Sequence, residues 1–186
     1  MRFIPSASVI SGNQEEYQER DIGRGDAAIE ETVQHMARVI DSSAKNPLVR
    51  EWARSILDGV QVNNKMGEAT AIHSFVRDHV RYTRDPSGWE YVQTPPILLA
   101  GVREYLEKKA AKPIGDCDDM TTLTLSLMKS VGFPVMIKTV GYNGRFSHVY
   151  GMAYLNGQWI VTDTVRPDKW FGWEALNATR IMETQA

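Results

Sequence analysis

The chain is poor in cysteine: one residue, Cys117, among 186. A single thiol excludes an internal disulfide and fits a chain kept reduced, so it becomes the residue to explain. Long apolar runs are also missing. None approaches the roughly 18 residues of a membrane-spanning helix, so no membrane partner is expected. The opening Met1-Arg2-Phe3-Ile4-Pro5-Ser6 lacks the apolar core of a secretory signal, and a cytoplasmic location follows as the expectation. Charge of one sign is not in excess, with 21 Lys+Arg against 23 Asp+Glu. The longest lysine run is Lys108-Lys109, and without a basic cluster a nucleic-acid partner is not expected. No repeat or low-complexity tract occurs, and 42% apolar with 24% charged residues are ordinary globular values.

What is present divides into helices first and strands after. Residues 1–24 have no sustained period and read as a flexible N-terminal arm; 25–186 read as a single domain. Ile29, Val33, Met36, Ala37 and Ile40 form one apolar helical face. Asn46-Pro47 reads as a cap with proline in the first turn, opening a second helix that ends near Gly59. A third runs from about Gly67 to Arg81, and Thr94-Pro95 opens a fourth. Asp116 and Asp119 stand three apart, as in an acidic capping box, and begin a fifth helix with Met120, Leu123 and Leu127 inward. Gly132 and Pro134 close it. Three strand-like runs follow, 135–142, 146–155 and 158–164, separated by Asn143-Gly144 and Asn156-Gly157, the strongest short hairpin signal. Trp170, Phe171 and Trp173 in the tail read as packing. The expected class is α+β, N-terminal helices followed by an antiparallel meander of at least three strands.

The capping box puts Cys117 in the first turn of its helix. Unpaired N–H groups and the positive end of the helix dipole favour a thiolate there, whereas Asp116, Asp118 and Asp119 oppose it. An imidazolium nearby would decide the balance. If Asn156 and Gly157 are the central turn residues, Leu155 faces Gln158 and Tyr150 falls opposite Asp163. His148 and Asp163 are then diagonal neighbours on one face, within reach of each other. That face also carries Met152, Tyr154, Trp159 and Val161, so it is expected to be buried against the fifth helix. A Cys117/His148/Asp163 set would supply nucleophile, base and imidazole orienter.

Gly115-Asp116-Cys117-Asp118-Asp119, Val131 to Val135, Ser147-His148-Val149 and Asn156-Gly157-Gln158-Trp159 with Asp163-Thr164 resemble the transglutaminase-like superfamily of the papain-like cysteine proteases. Asp85-Pro86 and Trp89 to Pro95 resemble, more narrowly, its small bacterial and phage members. The resemblance covers roughly residues 66–165. It implies a papain-like fold with Cys117 at a helix start and catalytic Cys117, His148 and Asp163. It also implies attack on a carboxamide through a thioester, without a cofactor, on a peptide or protein substrate. Many members have an aromatic residue after the cysteine; here it is Asp118, which argues against a true transglutaminase. For the oxyanion or substrate side the candidates are Gln93, with Trp89 and Tyr91 behind it.

Plainer readings stand beside these. A lone cysteine is most often a small buried hydrophobe. The three aspartates cap a helix without needing a cation, so no metal is expected. His79 reads as a satisfied core histidine, and His35 and His73 as exposed or half-exposed residues without a role. Two other functions compete with hydrolysis. One is a catalytically silent component of a phage particle or its assembly machinery, with residues 1–24 docking on structural proteins and a virion-associated location. The other is acyl transfer to an amine.

Overall fold

The computed structural model describes residues 25–85 and 92–186. Expectations for 1–24, and for Trp89 and Tyr91, lie outside the described residues. Five helices come in order: α1 (Asp26–Ser43), α2 (Pro47–Ile56), α3 (Lys65–His79), α4 (Pro95–Lys108) and α5 (Cys117–Ser130). Two short strands interleave with them, β1 (Arg81–Tyr82) and β2 (Ile114–Gly115), and four more follow: β3 (Val135–Tyr142), β4 (Arg145–Leu155), β5 (Gln158–Thr162) and β6 (Arg180–Gln185).

Local signals account for most boundaries. Asn46 Oδ1 accepts the Leu48 N–H, and Pro47 occupies the first turn of α2. Asn64 caps α3 in the same way through the Gly67 N–H, starting that helix at Lys65, two residues before the expected glycine. Asn143, Gly144, Asn156 and Gly157 all have positive φ, as the two tight hairpin turns require.

The main sheet is antiparallel in the order β5-β4-β3-β6. Leu155 pairs with Gln158 and Met152 with Val161, the register that the second Asn-Gly turn implies. α5 is the central helix, its residues from Asp118 to Met128 all buried, and it lies on the sheet while α1, α2, α3 and α4 pack around it. The tail from 166 on does more than pack, and Trp170, expected as a packing residue, is 66% exposed. It closes with β6, which pairs with β3 from Met136↔Gln185 to Gly141↔Arg180. The alternating partial burial of β6 carries no strong apolar signal, because only one of its faces meets the protein.

One expectation about the sheet is corrected. The face of β4 turned to α5 carries Val149, Gly151, Ala153 and Leu155. Tyr150 and Met152 are on the opposite face, where they join Met136, Val140 and Val161 in a second apolar cluster. The tail covers that cluster with Ala178 and with Glu174, which accepts hydrogen bonds from Lys138 Nζ (2.7 Å) and Tyr150 Oη (2.5 Å). β4 is sandwiched, so both parities are apolar and alternation could not say which one meets the helix.

Candidate active site

Cys117 is the first residue of α5 and half-buried. The capping box that places it is complete: Asp116 Oδ1 accepts from Asp118 N–H at 3.1 Å, and Asp119 Oδ2 accepts from Asp116 N–H at 3.2 Å. Asp118 Oδ1 takes the Asp119 N–H, and the Met120 N–H goes to the Asp116 carbonyl. The N–H groups of Asp118, Asp119 and Met120 are therefore consumed by the cap and do not serve as oxyanion donors.

Gln93 locks this cap from outside. Its backbone N–H donates to Asp119 Oδ1 (2.6 Å), and its side-chain amide donates to Asp119 Oδ2 (2.7 Å) and the Ile114 carbonyl (2.9 Å). An amide with both protons so engaged has none to offer a developing oxyanion. Gln93 anchors the residues before α4 to the helix start instead. The signal that could have suggested this is the buried acid at 119, which needs more donors than its own helix provides.

The acids of the cap are not three ordinary carboxylates. Burial pushes Asp118 well above its usual value, and hydrogen bonding and charge from Asp116 add to it. Burial raises Asp119 to about 7 against the pull of the Gln93 hydrogen bonds. A protonated Asp118 carries no charge, so the opposition to a thiolate at Cys117 is weaker than the residue count suggests. Oxygens of Asp116, Asp118 and Asp119 come within 4.8 Å of one another, yet the three cap and hydrogen-bond the helix start, which accounts for them without a cation.

His148 and Asp163 are brought together. His148 Nε2 donates to Asp163 Oδ2 at 2.8 Å, and Asp163 Oδ1 accepts the Val165 N–H at 3.1 Å. A bulge between Val140 and Gly141 leaves Ser147 as the extra residue just before His148 and turns the end of the strand. The Tyr150 ring lies 5.5 Å from the imidazole, centroid to centroid.

His73, expected near the surface, is fully buried. Its Nε2 donates to the Asp163 carbonyl at 2.9 Å, the Phe171 ring lies edge-on at 5.7 Å, and its Nδ1 is buried with no hydrogen-bond partner. Burial, the leading cause, pushes its pKa down, so the ring is neutral with the proton on Nε2. α3 is covered on two sides, which a single amphipathic stripe does not reveal. His79 matches its reading as a satisfied packing residue: Nδ1 contacts the Phe75 carbonyl at 2.7 Å and its ring stacks on Phe75.

Helix and strand run alongside each other in steps. A Cβ on Gly151 would come 2.4 Å from Leu125, and one turn back Thr121 Oγ1 donates to the Val149 carbonyl at 3.2 Å. A second track approaches from the other side: β1 and β2 pair in parallel, Arg81↔Ile114 and Tyr82↔Gly115, and Thr83 N–H donates to the Gly115 carbonyl at 2.9 Å.

A family model for the transglutaminase-like superfamily matches residues 50–164, from within α2 to just past β5 and Asp163. The chain belongs to the transglutaminase-like superfamily. Among solved structures, a "putative protease" from Parabacteroides distasonis ATCC 8503 superposes with a TM-score of 0.54 at 11% identity, covering 70% of this chain and 25% of that one. A "putative cysteine protease" from Cytophaga hutchinsonii gives 0.46 at 15% identity, over 87% of this chain and 53% of its own. The chain thus spans about a quarter and about half of these relatives, and the first likeness supports the transglutaminase-like fold alone. Comparison with curated proteins gives no match. No helix among the described residues is long and apolar enough to cross a membrane.

Proposed function

We propose that the protein is a cysteine hydrolase of amide or peptide bonds in which Cys117 is the nucleophile, His148 the general base and then acid, and Asp163 the orienter. The observation that carries this reading is the 2.8 Å hydrogen bond from His148 Nε2, on β4, to the buried carboxylate of Asp163, just after β5. Asp163 takes Nε2, so Nδ1 is the nitrogen left to meet a thiol. The helix–strand steps support the encounter. Leu125 lies over Gly151 and Thr121 on Val149; one more turn back is Cys117, and two residues back along β4 is Ser147, next to His148. A turn of helix advances about 5–6 Å and two strand residues about 6–7 Å, so the tracks stay in step.

In the reaction, His148 takes the Cys117 proton and the thiolate sulfur attacks the substrate carbonyl carbon. The C–S bond forms as the carbonyl pair moves to oxygen. Collapse expels the amine, which takes its proton from the imidazolium, and leaves a thioester. Water, deprotonated by His148, attacks the thioester; the C–S bond breaks and the acid leaves. Asp163 holds the imidazole tautomer, and His73 holds the Asp163 backbone.

The test is the pH dependence of Cys117 alkylation together with trapping of an acyl-enzyme. A midpoint well below the ordinary thiol value of about 8.5, moved upward in His148→Ala, is expected. A mass increment on Cys117 after incubation with activated esters or peptide amides is expected too, and is lost in Cys117→Ala. An inert thiol, or a midpoint indifferent to His148, overturns the reading.

A further inference from the structure

We propose that this site takes an acyl substrate carrying a negative charge, a carboxylate, close to the bond it cleaves, and that Arg84 is the group that reads it. The inference rests on the hydrolase reading for the word substrate, but its geometry does not. Parallel pairing of Arg81 with Ile114 and of Tyr82 with Gly115 continues through the bond from Thr83 N–H to the Gly115 carbonyl. That bond sets Thr83 level with Asp116, the cap of α5, and Arg84 follows it alongside the helix start. The exposed Arg84 therefore runs beside the first turn of the helix that Cys117 opens.

Arg84 is exposed, and Tyr82, two residues earlier on the same side of the extended chain, hydrogen-bonds its guanidinium. Tyr82 itself packs on the main core and so anchors the cation. The guanidinium is held in its charged form first by Tyr82 and in smaller part by the charge of Cys117, so sulfur and cation feel each other. A cation beside the nucleophile, with its planar fork turned to solvent, suits a carboxylate. Asp85 follows it in sequence and Asp116 lies across the strand pair; both moderate its field, while burial favours the neutral form of Asp118. A neutral substrate gains nothing from this arrangement, and a cationic one is repelled.

Two alkylating probes test the inference without a known substrate. Iodoacetate is an anion and iodoacetamide its neutral analogue; both react with the same thiolate, so the thiolate fraction cancels in the ratio of their rates at Cys117. The ratio is to be measured at low salt in the full chain and in Arg84→Gln, Arg84→Lys and Arg84→Glu. A fall of about three- to tenfold is expected for Arg84→Gln, the size of one partly screened charge at several ångströms. Arg84→Glu lowers the ratio further, Arg84→Lys keeps most of it, and added salt compresses the differences. A ratio indifferent to Arg84→Gln and Arg84→Glu at a fast-reacting thiol overturns the inference and leaves the hydrolase reading. A slow, ordinary thiol whose ratio still follows Arg84 upholds the cation's role and removes the hydrolase reading. A thiol closed to both reagents overturns both.

Discussion

His73 and Asp119 illustrate how burial changes what a side chain does. His73 sits at 0% exposure with one ring nitrogen on the Asp163 carbonyl and the other unpartnered, so a second proton would put an unpaired cation in the core. Its folded pKa lies below the ordinary value, so its contribution to stability is present above about pH 6.5 and is lost as pH falls. Urea unfolding between pH 7.5 and pH 5 should therefore show a steeper loss on acidification in the native chain than in His73→Gln. His73→Leu, which removes the donor, should lower kcat more than it changes KM, with the glutamine restoring part of the loss. Asp119 works with the opposite sign. Its folded value is raised to about 7, so its contribution is full below the ordinary carboxylate range and lost as pH rises through about 7. Asp119→Asn should flatten that decline between pH 5 and pH 7.5, read from the same unfolding curves.

At the scale of elements, the contact that matters most is α5 on β4. Gly151 allows it, since an added Cβ would come 2.4 Å from Leu125 Cδ2 and 2.8 Å from Leu125 Cγ. Gly151→Ala should cost about 1–3 kcal/mol in unfolding free energy and slow Cys117 alkylation by pushing the helix off the strand. Alkylation at the native rate would break the link between this packing and the site. The capping box, the Asn46-Pro47 start and both Asn-Gly turns were legible because each is a short-range signal with its own hydrogen bonds or positive φ. The two-residue strands β1 and β2 were not: pairs this short are made by where α3 and α4 end, not by propensity. For β4 the alternation was visible but its sense was not.

For the whole molecule, the segment after β5 decides how the far face of the sheet is closed. Glu174 joins Lys138 on β3 and Tyr150 on β4, and β6 completes the sheet beside β3. Lys138 is nearly buried, so Glu174→Ala leaves its ammonium only the more distant Glu183 carboxylate at 3.9 Å; the cost should be about 1–2 kcal/mol once the partial exposure of Glu174 is discounted. The same variant should open residues 166–179 to limited proteolysis, whereas Glu174→Gln, which can still accept from Tyr150, should protect the segment better.

The residue order by itself determined that Cys117 begins a capped helix, that the second hairpin has its observed register, and that the class is α+β with transglutaminase-like motifs. Those features depend on interactions spanning a few residues, so local pattern suffices to read them. The burial of His73 behind Asp163, the engagement of the Gln93 amide by Asp119, the side of β4 that meets α5 and the approach of Arg84 to the helix start were decided only in three dimensions. Each depends on which of several equally apolar or polar surfaces lands on which neighbour, and that choice is made by packing the whole core at once.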